Sequence, residues 1–311
     1  MSIIDLKNAL VKDTVSRGSV FVSEPAQVRS GRKNDFAVGQ FCDKNVQVDF
    51  KIWDEVTFLP LIKNGPGVYD TEVVGSEYND QKYLTVRSIQ PSTSGYTKAD
   101  FLDAIPDFML EANWRDVFSD LKQLGLSDTC MQLINSTIED PSLDSRFKTE
   151  GAAIRHHDNK IGGLFHHTTK MLRLLATIIQ NNPELSASID LLTYGIVVHD
   201  IGKVFEYDNL TVSDTWYASH RIRGIELLAS LKDAIISAFD EPFYRQVQSI
   251  IAEHHGEYGD RPNTVAAAIV HYIDLLESQV TGIIQMQQAP GNEERLLTRD
   301  WGYLRPLKLS E

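Results

Sequence analysis

The sequence predicts two domains of different class: a small five-stranded β-barrel over residues 15–92, then an all-α domain over residues 98–284. Residues 285–311 are left as a tail without clear periodicity. Three observations carry this reading. Val46, Val48, Phe50 and Ile52 alternate with Gln47, Asp49, Lys51 and Trp53, the period-two pattern of a strand with one apolar face. From Lys98 onward the apolar spacing turns helical. All nine histidines lie between residues 156 and 271, inside the helical part. At 311 residues, 42% of them apolar, the chain is long for one domain and ample for two with real cores.

The barrel elements follow in order. Ser19–Val22 and Phe36–Phe41 are strand candidates separated by the basic turn Arg29-Ser30-Gly31-Arg32-Lys33, and Val46–Ile52 is the third strand. Val68–Val74 and Tyr83–Ile89 are divided by the turn-like Glu77-Tyr78-Asn79-Asp80. About five strands in about 70 residues suggest an OB-like barrel, the common five-stranded closed sheet. Gln90-Pro91-Ser92-Thr93-Ser94-Gly95 reads as a linker. Beyond it, Phe101, Ile105, Phe108 and Met109 predict one amphipathic segment, and Val117, Leu121 and Leu124 another that stops at Gly125. Further helices are expected over 164–179, 189–200, 224–239, 243–255 and 264–284. There is no internal repeat and no low-complexity run.

The net charge of −13 argues against a chain that wraps nucleic acid over its whole surface, because phosphate binding needs clustered Lys and Arg. A local groove remains compatible, since residues 15–92 carry nine Lys/Arg against ten Asp/Glu and are nearly neutral. Cys42 and Cys130 are too few and too far apart for a disulfide framework. The charged start Met1–Lys7 lacks a leader's apolar segment, and no apolar run approaches membrane length. A soluble, cytoplasmic protein with no membrane partner is expected.

The chemistry concentrates in the helical part. His167, His199-Asp200, His220, His254-His255 and Asp274 are imidazoles and carboxylates, the side chains that hold first-row divalent metals. His199 and Asp200 end the apolar segment Leu191–Val198. Adjacent ligands diverge by about 100° on a regular helix, a constraint that relaxes at a helix end. His271, alone on an apolar helix, reads as a hydrogen-bonded structural residue. His156 and His157 are open between substrate contacts, supplementary ligands and a polar turn.

Gly162-Gly163-Leu164-Phe165-His166-His167-Thr168, His199-Asp200-Ile201-Gly202-Lys203, His220 and His254-His255-Gly256-Glu257 resemble the HD superfamily of phosphohydrolases. With the barrel in front, the chain is similar to the YhaM-type 3′-to-5′ exoribonucleases over about residues 15–280, and Lys51-Ile52-Trp53-Asp54 is the best match in the barrel. The resemblance implies an HD domain binding divalent metal and an OB-fold that helps hold single-stranded nucleic acid. His167, His199, Asp200 and Asp274 correspond to its basic ligand set, and His220, His254 and His255 to the expanded set of two-metal members. It further implies Asp200 as the bridging, catalytic carboxylate, with His167, His199 and Asp274 around one ion and the other three histidines around the second. Lys203 matches the lysine expected near a substrate phosphate. His166 stands where the family often has an acidic residue, and Ser219 where glycine is usual.

The expected activity is metal-dependent 3′-to-5′ hydrolysis of single-stranded RNA, with single-stranded DNA as a further substrate to test. Two ions are expected, manganese first, with magnesium, iron, nickel or cobalt as alternatives. Substrate contacts are expected from Lys203, His157 and Arg261, and on the barrel from Lys51 and Trp53, which alternate with the apolar face. Phe36, Phe41, Tyr69 and Tyr83 are further stacking candidates. A nucleotide or cyclic-dinucleotide hydrolase with a regulatory barrel is the competing enzyme. A non-catalytic nucleic-acid binder is the third option, and a homo-oligomer is left open.

Overall fold

The computed structural model describes residues 2–308 apart from 32–33, 45, 79–80, 154–159, 209, 214–216, 257–259, 289–294 and 299–300. It separates into two units, Met1–Ala104 and Ile105–Glu311.

The first unit is a mixed sheet of six strands: β1 (Val15–Val22), β2 (Gln27–Ser30), β3 (Asp35–Asp43), β4 (Val46–Ile52), β5 (Gly67–Tyr78) and β6 (Gln81–Pro91). Their order is β1-β5-β6-β4-β3-β2. β1 also pairs with β3 through Phe21↔Cys42 and Val22↔Phe41, so the path β1-β5-β6-β4-β3 returns on itself. β4 and β6 run parallel, while the other pairings in this sheet are antiparallel. Val48, Phe50 and Ile52 are buried as the alternation requires, and they join Phe41, Tyr69, Val73 and Leu84 in the core. Burying each such side chain is worth about 1.5–3 kcal/mol. Phe41 and Tyr69 are therefore core residues and not stacking platforms.

Three expectations for this unit need correction. A sixth strand, β2, takes up Arg29 and Ser30, which pair with Phe36 and Asp35, so the basic segment is not wholly a turn; Arg32 and Lys33 lie outside the described residues. Glu77 and Tyr78 belong to β5, opposite Lys82 and Gln81. A helix, α2 (Glu55–Asn64), joins β4 to β5, with Asp54 accepting from the Thr57 amide at its start and Gly65 at φ 70° at its end. Its β-branched residues and Pro60 hide it from periodicity. Ahead of the sheet, α1 (Leu6–Ala9) adds Leu6 and Ala9 to the same core.

The second unit is helical. A single helix, α3 (Asp107–Gln123), follows Pro106 and replaces the two expected segments: Phe101 falls in a separate 3-10 turn, and Phe108 and Met109 are exposed. The sequence reading passed over α4 (Asp128–Ile138), whose first turn is capped by the Ser127 hydroxyl accepting from the Cys130 amide. α5 (Gly163–Asn181) buries His167, Met171, Leu172, Leu175 and Ile179 along one face. In α6 (Ile189–Val198) every residue but Asp190 is buried, as befits a helix surrounded by α5, α10 (Glu241–Glu253) and α11 (Val265–Gln288). The expected helix over 224–239 is two, α8 (His220–Ser230) and α9 (Lys232–Ala238). A short turn of helix, α7 (Lys203–Glu206), precedes the small ladder β7 (Tyr207–Asp208) and β8 (Thr211–Val212). The tail carries a hairpin, β9 (Leu296–Thr298) with β10 (Gly302–Leu304). Among the described residues no helix is long and apolar enough to cross a membrane, and both cysteines are buried and free.

Candidate metal centre

The helix ends converge. α6 delivers His199 and Asp200, α8 begins with His220, α10 is followed by His254 and His255, α5 supplies His167 from its second turn, and α11 supplies Asp274. Their ligand atoms fall into two groups, His167, His199 and Asp274 in one and Asp200, His220, His254 and His255 in the other, with the atoms of each group within 4.8 Å of one another. Asp200 faces both. Its Oδ2 lies 3.3 Å from His199 Nε2 and 3.9 Å from His167 Nε2. Its Oδ1 lies 3.5 Å from His220 Nε2 and 3.4 Å from His254 Nε2. His167 Nε2 is 3.3 Å from Asp274 Oδ1, and the Nε2 atoms of His220 and His255 are 3.1 Å apart.

The far side of each ring fixes its orientation. His199 Nδ1 bonds to the Ile196 carbonyl at 2.7 Å and His254 Nδ1 to the Ile251 carbonyl at 3.0 Å. His220 Nδ1 meets Glu206 at 2.7 Å, and His167 Nδ1 meets Glu277 at 2.5 Å. With Nδ1–H donating in each case, every Nε2 points inward, the arrangement of a metal-ligating imidazole with its outer hydrogen bond. His199 Nε2, His254 Nε2 and Asp200 Oδ1 are buried and make no hydrogen bond. Buried polar atoms are otherwise almost always satisfied, so this donor set fits divalent cations.

Electrostatics agrees with that fit. Burial and then His254 push His255 down to about 3, and burial also lowers His254, so both rings are neutral near pH 7 and present lone pairs. Burial would lower His167 too, but Asp274 and Glu277 outweigh it and raise the ring to about 9. Those carboxylates favour positive charge at His167, which a proton or a metal cation can supply. Burial would raise Asp200, yet the Lys203 ammonium and then His199 hold its carboxyl well below the usual range. Lys203 Nζ donates to Asp200 Oδ2 at 2.6 Å.

Residues 164–279 match the family model for the HD domain. This stretch is an HD domain. Over a longer span the chain is 26% identical to the 3′-5′ exoribonuclease YhaM of Listeria welshimeri, covering 87% of this chain and 82% of that protein. It is 28% identical to the YhaM of Bacillus licheniformis and 27% identical to that of Bacillus subtilis, each over 76% of both chains. No solved structure matches.

Of the candidate residues, the HD domain brings together all seven expected at the metals. His166 stays outside both groups. His271 is structural, its Nδ1 bonding the His254 carbonyl at 2.7 Å. Lys203 sits against Asp200, with 12% of its side chain exposed. Arg261 is exposed ahead of α11, outside the buried cluster; His156, His157 and Glu257 lie outside the described residues. On the sheet unit Trp53 is half exposed and stacks on Phe36 with centroids 4.9 Å apart, and Lys51 Nζ lies 4.0 Å above the Tyr83 ring.

The sequence reading missed Glu277, Glu206 and Glu253. The first two each stand three residues after a named candidate, Asp274 and Lys203, so helical spacing was the available signal. Glu253 is buried and accepts from Asn263 N at 2.7 Å, Asn263 Nδ2 at 2.8 Å and Ser249 Oγ at 2.7 Å, tying the end of α10 to the start of α11.

Proposed function

We propose that this protein is a metal-dependent 3′-to-5′ exoribonuclease acting on single-stranded RNA, with its chemistry in the HD domain and strand binding on the sheet unit. The observation that carries the reading is the pair of ligand groups sharing Asp200, in a chain whose relatives are named 3′-5′ exoribonucleases over more than three quarters of its length. His167, His199 and Asp274 would hold one cation and His220, His254 and His255 the other, with Asp200 between the two groups. Five imidazoles against two carboxylates favour a transition ion such as manganese, iron, cobalt or nickel over magnesium. The chemistry such cations would supply is Lewis-acid charge, which lowers the pKa of a water and offsets charge on a departing oxygen. Asp200, whose two oxygens face different histidines, would be the catalytic carboxylate. Lys203 holds that carboxylate ionised and in place, and its positive charge faces the region where phosphate charge develops.

An OB-like barrel is supported by the returning strand path, by the parallel β4–β6 pair and by a helix between β4 and β5. Lys51 with Tyr83, and Trp53 with Phe36, provide the cation and stacked rings of a single-strand platform. The test is 5′-labelled single-stranded RNA with Mn²⁺. A ladder shortening from the 3′ end is expected. Internal cuts would make the protein an endonuclease, and turnover confined to small nucleotides or cyclic dinucleotides would move the activity to the competing enzyme class.

A further inference from the structure

Side chains close the end of α10. The last carbonyls of a helix have no amide partner inside it and must find one among caps, water or other side chains. His254 N reaches back to the Ile250 carbonyl, and three side chains take the acceptors beyond it. His254 Nδ1 bonds to the Ile251 carbonyl at 3.0 Å, Arg221 Nη1 donates to the Ala252 carbonyl at 2.7 Å, and His271 Nδ1 donates to the His254 carbonyl at 2.7 Å. The first of these rings is itself a candidate ligand. The other two donors come from neighbouring helices: Arg221 follows His220 at the start of α8, where its Nη1 also lies 3.5 Å from the exposed Asp260, and His271 stands three residues before Asp274 on α11.

Burial ranks these two donors. His254 is fully buried, so without His271 its carbonyl has no solvent to turn to. A buried acceptor left unsatisfied carries its full desolvation penalty, and the turn must shift to meet water or another donor. Ala252 is only partly buried, so the Arg221 bond weighs less. The His271 ring also sets the bend that follows. Gly256 has φ 57°, and a Cβ there would stand 2.3 Å from His271 Cε1 and 2.7 Å from its Nδ1. Bare backbone therefore packs against the imidazole, in a conformation that glycine adopts without strain. Between the His254 carbonyl and Gly256 lies His255, whose Nε2 is 3.1 Å from His220 Nε2. His271 thus grips the turn on both sides of His255, and Arg221 ties the same turn to the helix that carries His220. One helix, α11, then serves both ligand groups: Asp274 belongs to the first, Glu277 holds the His167 ring there, and His271 holds the turn of the second.

We infer that His271, with Arg221 in a lesser part, is a positioning residue for the group His220, His254 and His255, and that it acts on this group without acting on His167, His199 and Asp274. The inference rests on the two-cation reading of the site. The test is calorimetric titration of the full chain with Mn²⁺, using His271→Leu, which keeps bulk and removes the donor, His271→Asn, whose side-chain amide can donate from the place of Nδ1, and Arg221→Met. His220→Ala marks the binding step that belongs to the second group. His271→Leu is expected to weaken that step by about tenfold, the lower end of what loss of a ligand's own outer partner costs, since His271 acts through the turn. Arg221→Met should weaken it by less, His271→Asn should keep most of the parent affinity, and the other step should stay unchanged in all three. In chelated protein at one fixed pH, the ring signals of His220, His254 and His255 in the NMR spectrum should move in His271→Leu while those of His167 and His199 stay. Arg221 lies on a different helix, so a folding failure of His271→Leu leaves Arg221→Met to decide. Equal weakening of both steps overturns the inference, as does an asparagine variant as impaired as the leucine one, or ring signals that stay where the parent has them. A parent that takes up fewer than two ions would refute the two-cation reading instead, and the ring signals of the chelated protein would still decide the role of His271.

Discussion

Glu277 offers a sharp test of the site because it touches no proposed substrate. Its Oε2 lies 2.5 Å from His167 Nδ1, while its Oε1 pairs with Lys170 and accepts from Thr281 Oγ1 at 2.6 Å, and its side chain is 3% exposed. Glu277→Gln keeps the volume but has only one accepting oxygen. If that oxygen faces His167, the amide NH₂ confronts Lys170; if it faces Lys170, the NH₂ confronts the His167 N–H. Either way one buried donor loses its acceptor, and the His167 ring is held by a weaker, uncharged acceptor in the first case and by none in the second. Losing such an outer partner typically costs about 10–100-fold in metal affinity or activity, or about 1.4–2.7 kcal/mol. Isothermal titration with Mn²⁺ should register weaker binding at unchanged helicity. In chelated protein the NMR titration of His167, held at about 9 with Glu277 as one cause, should move downward. Metal affinity within twofold of the parent, together with an unmoved His167 titration, would refute the claim that Glu277 orients a ligand.

Four further outcomes are expected. Asp200→Asn should abolish hydrolysis and destabilise the chelated protein by about 3–5 kcal/mol, because Lys203 is left buried without its partner; adding Lys203→Met should recover the denaturant midpoint but not the activity, and a single variant as stable as the parent would contradict this. Chelation should lower the melting temperature by about 8–16 °C, taking about 4 kcal/mol of binding at metal a thousandfold over Kd and about 2–4 °C per kcal/mol for a domain of this size; an unmoved transition in protein shown by elemental analysis to be stripped would count against a resident metal. Trp53→Ala should weaken binding of long single-stranded RNA by about 1–3 kcal/mol and leave hydrolysis of a nitrophenyl phosphodiester unchanged; equal losses on both substrates would remove Trp53 from the platform. Burial would raise the Asp70 carboxyl, but the Ser19 and Ser92 hydroxyls and the Thr93 amide lower it. A folded pKa below the unfolded one contributes stability above the unfolded value and loses it as pH falls through the folded one, so Asp70→Asn should flatten the acid limb of the stability curve below about pH 4; identical limbs would show that Asp70 carries none of it.

The seven candidates that converge were legible because their residue types are restrictive, and His199 and Asp200 also close the strongly apolar α6. The outer partners were not. Glutamate is common on helices, and nothing in Glu206 or Glu277 separates a buried hydrogen-bond acceptor from a solvated side chain until α7 is packed on α8 and α5 on α11. In the sheet unit, alternation identified β4 because one of its faces is buried. α2 escaped because exposed Val56, Leu59 and Ile62 are interleaved with buried Phe58 and Leu61, so apolar residues on both sides blur the stripe that marks the core. α4 has a regular buried face and a Ser127 cap, signals that were present in the sequence and went unused.

His199 and Asp200 stand where α6 gives way to a tighter turn. α6 ends at Val198, and the chain turns through Ile201 N to Val198 O at 3.2 Å and Lys203 N to Asp200 O at 2.9 Å before α7 begins. His199 itself keeps right-handed helical angles, φ −55° and ψ −39°, and its Nε2 still lies 3.3 Å from Asp200 Oδ2. A Cβ on Gly202 would stand 1.8 Å from the His220 carbonyl oxygen and 2.7 Å from the Gly224 nitrogen. Only glycine lets the turn approach α8 this closely. That approach brings His220 Nε2 to 3.5 Å from Asp200 Oδ1, so the second ligand group depends on a residue that carries no ligand. The spacing His-Asp-x-Gly-Lys therefore joins three features in one turn: two candidate ligands in succession, the glycine that admits the neighbouring helix, and the lysine whose ammonium keeps the Asp200 carboxylate ionised.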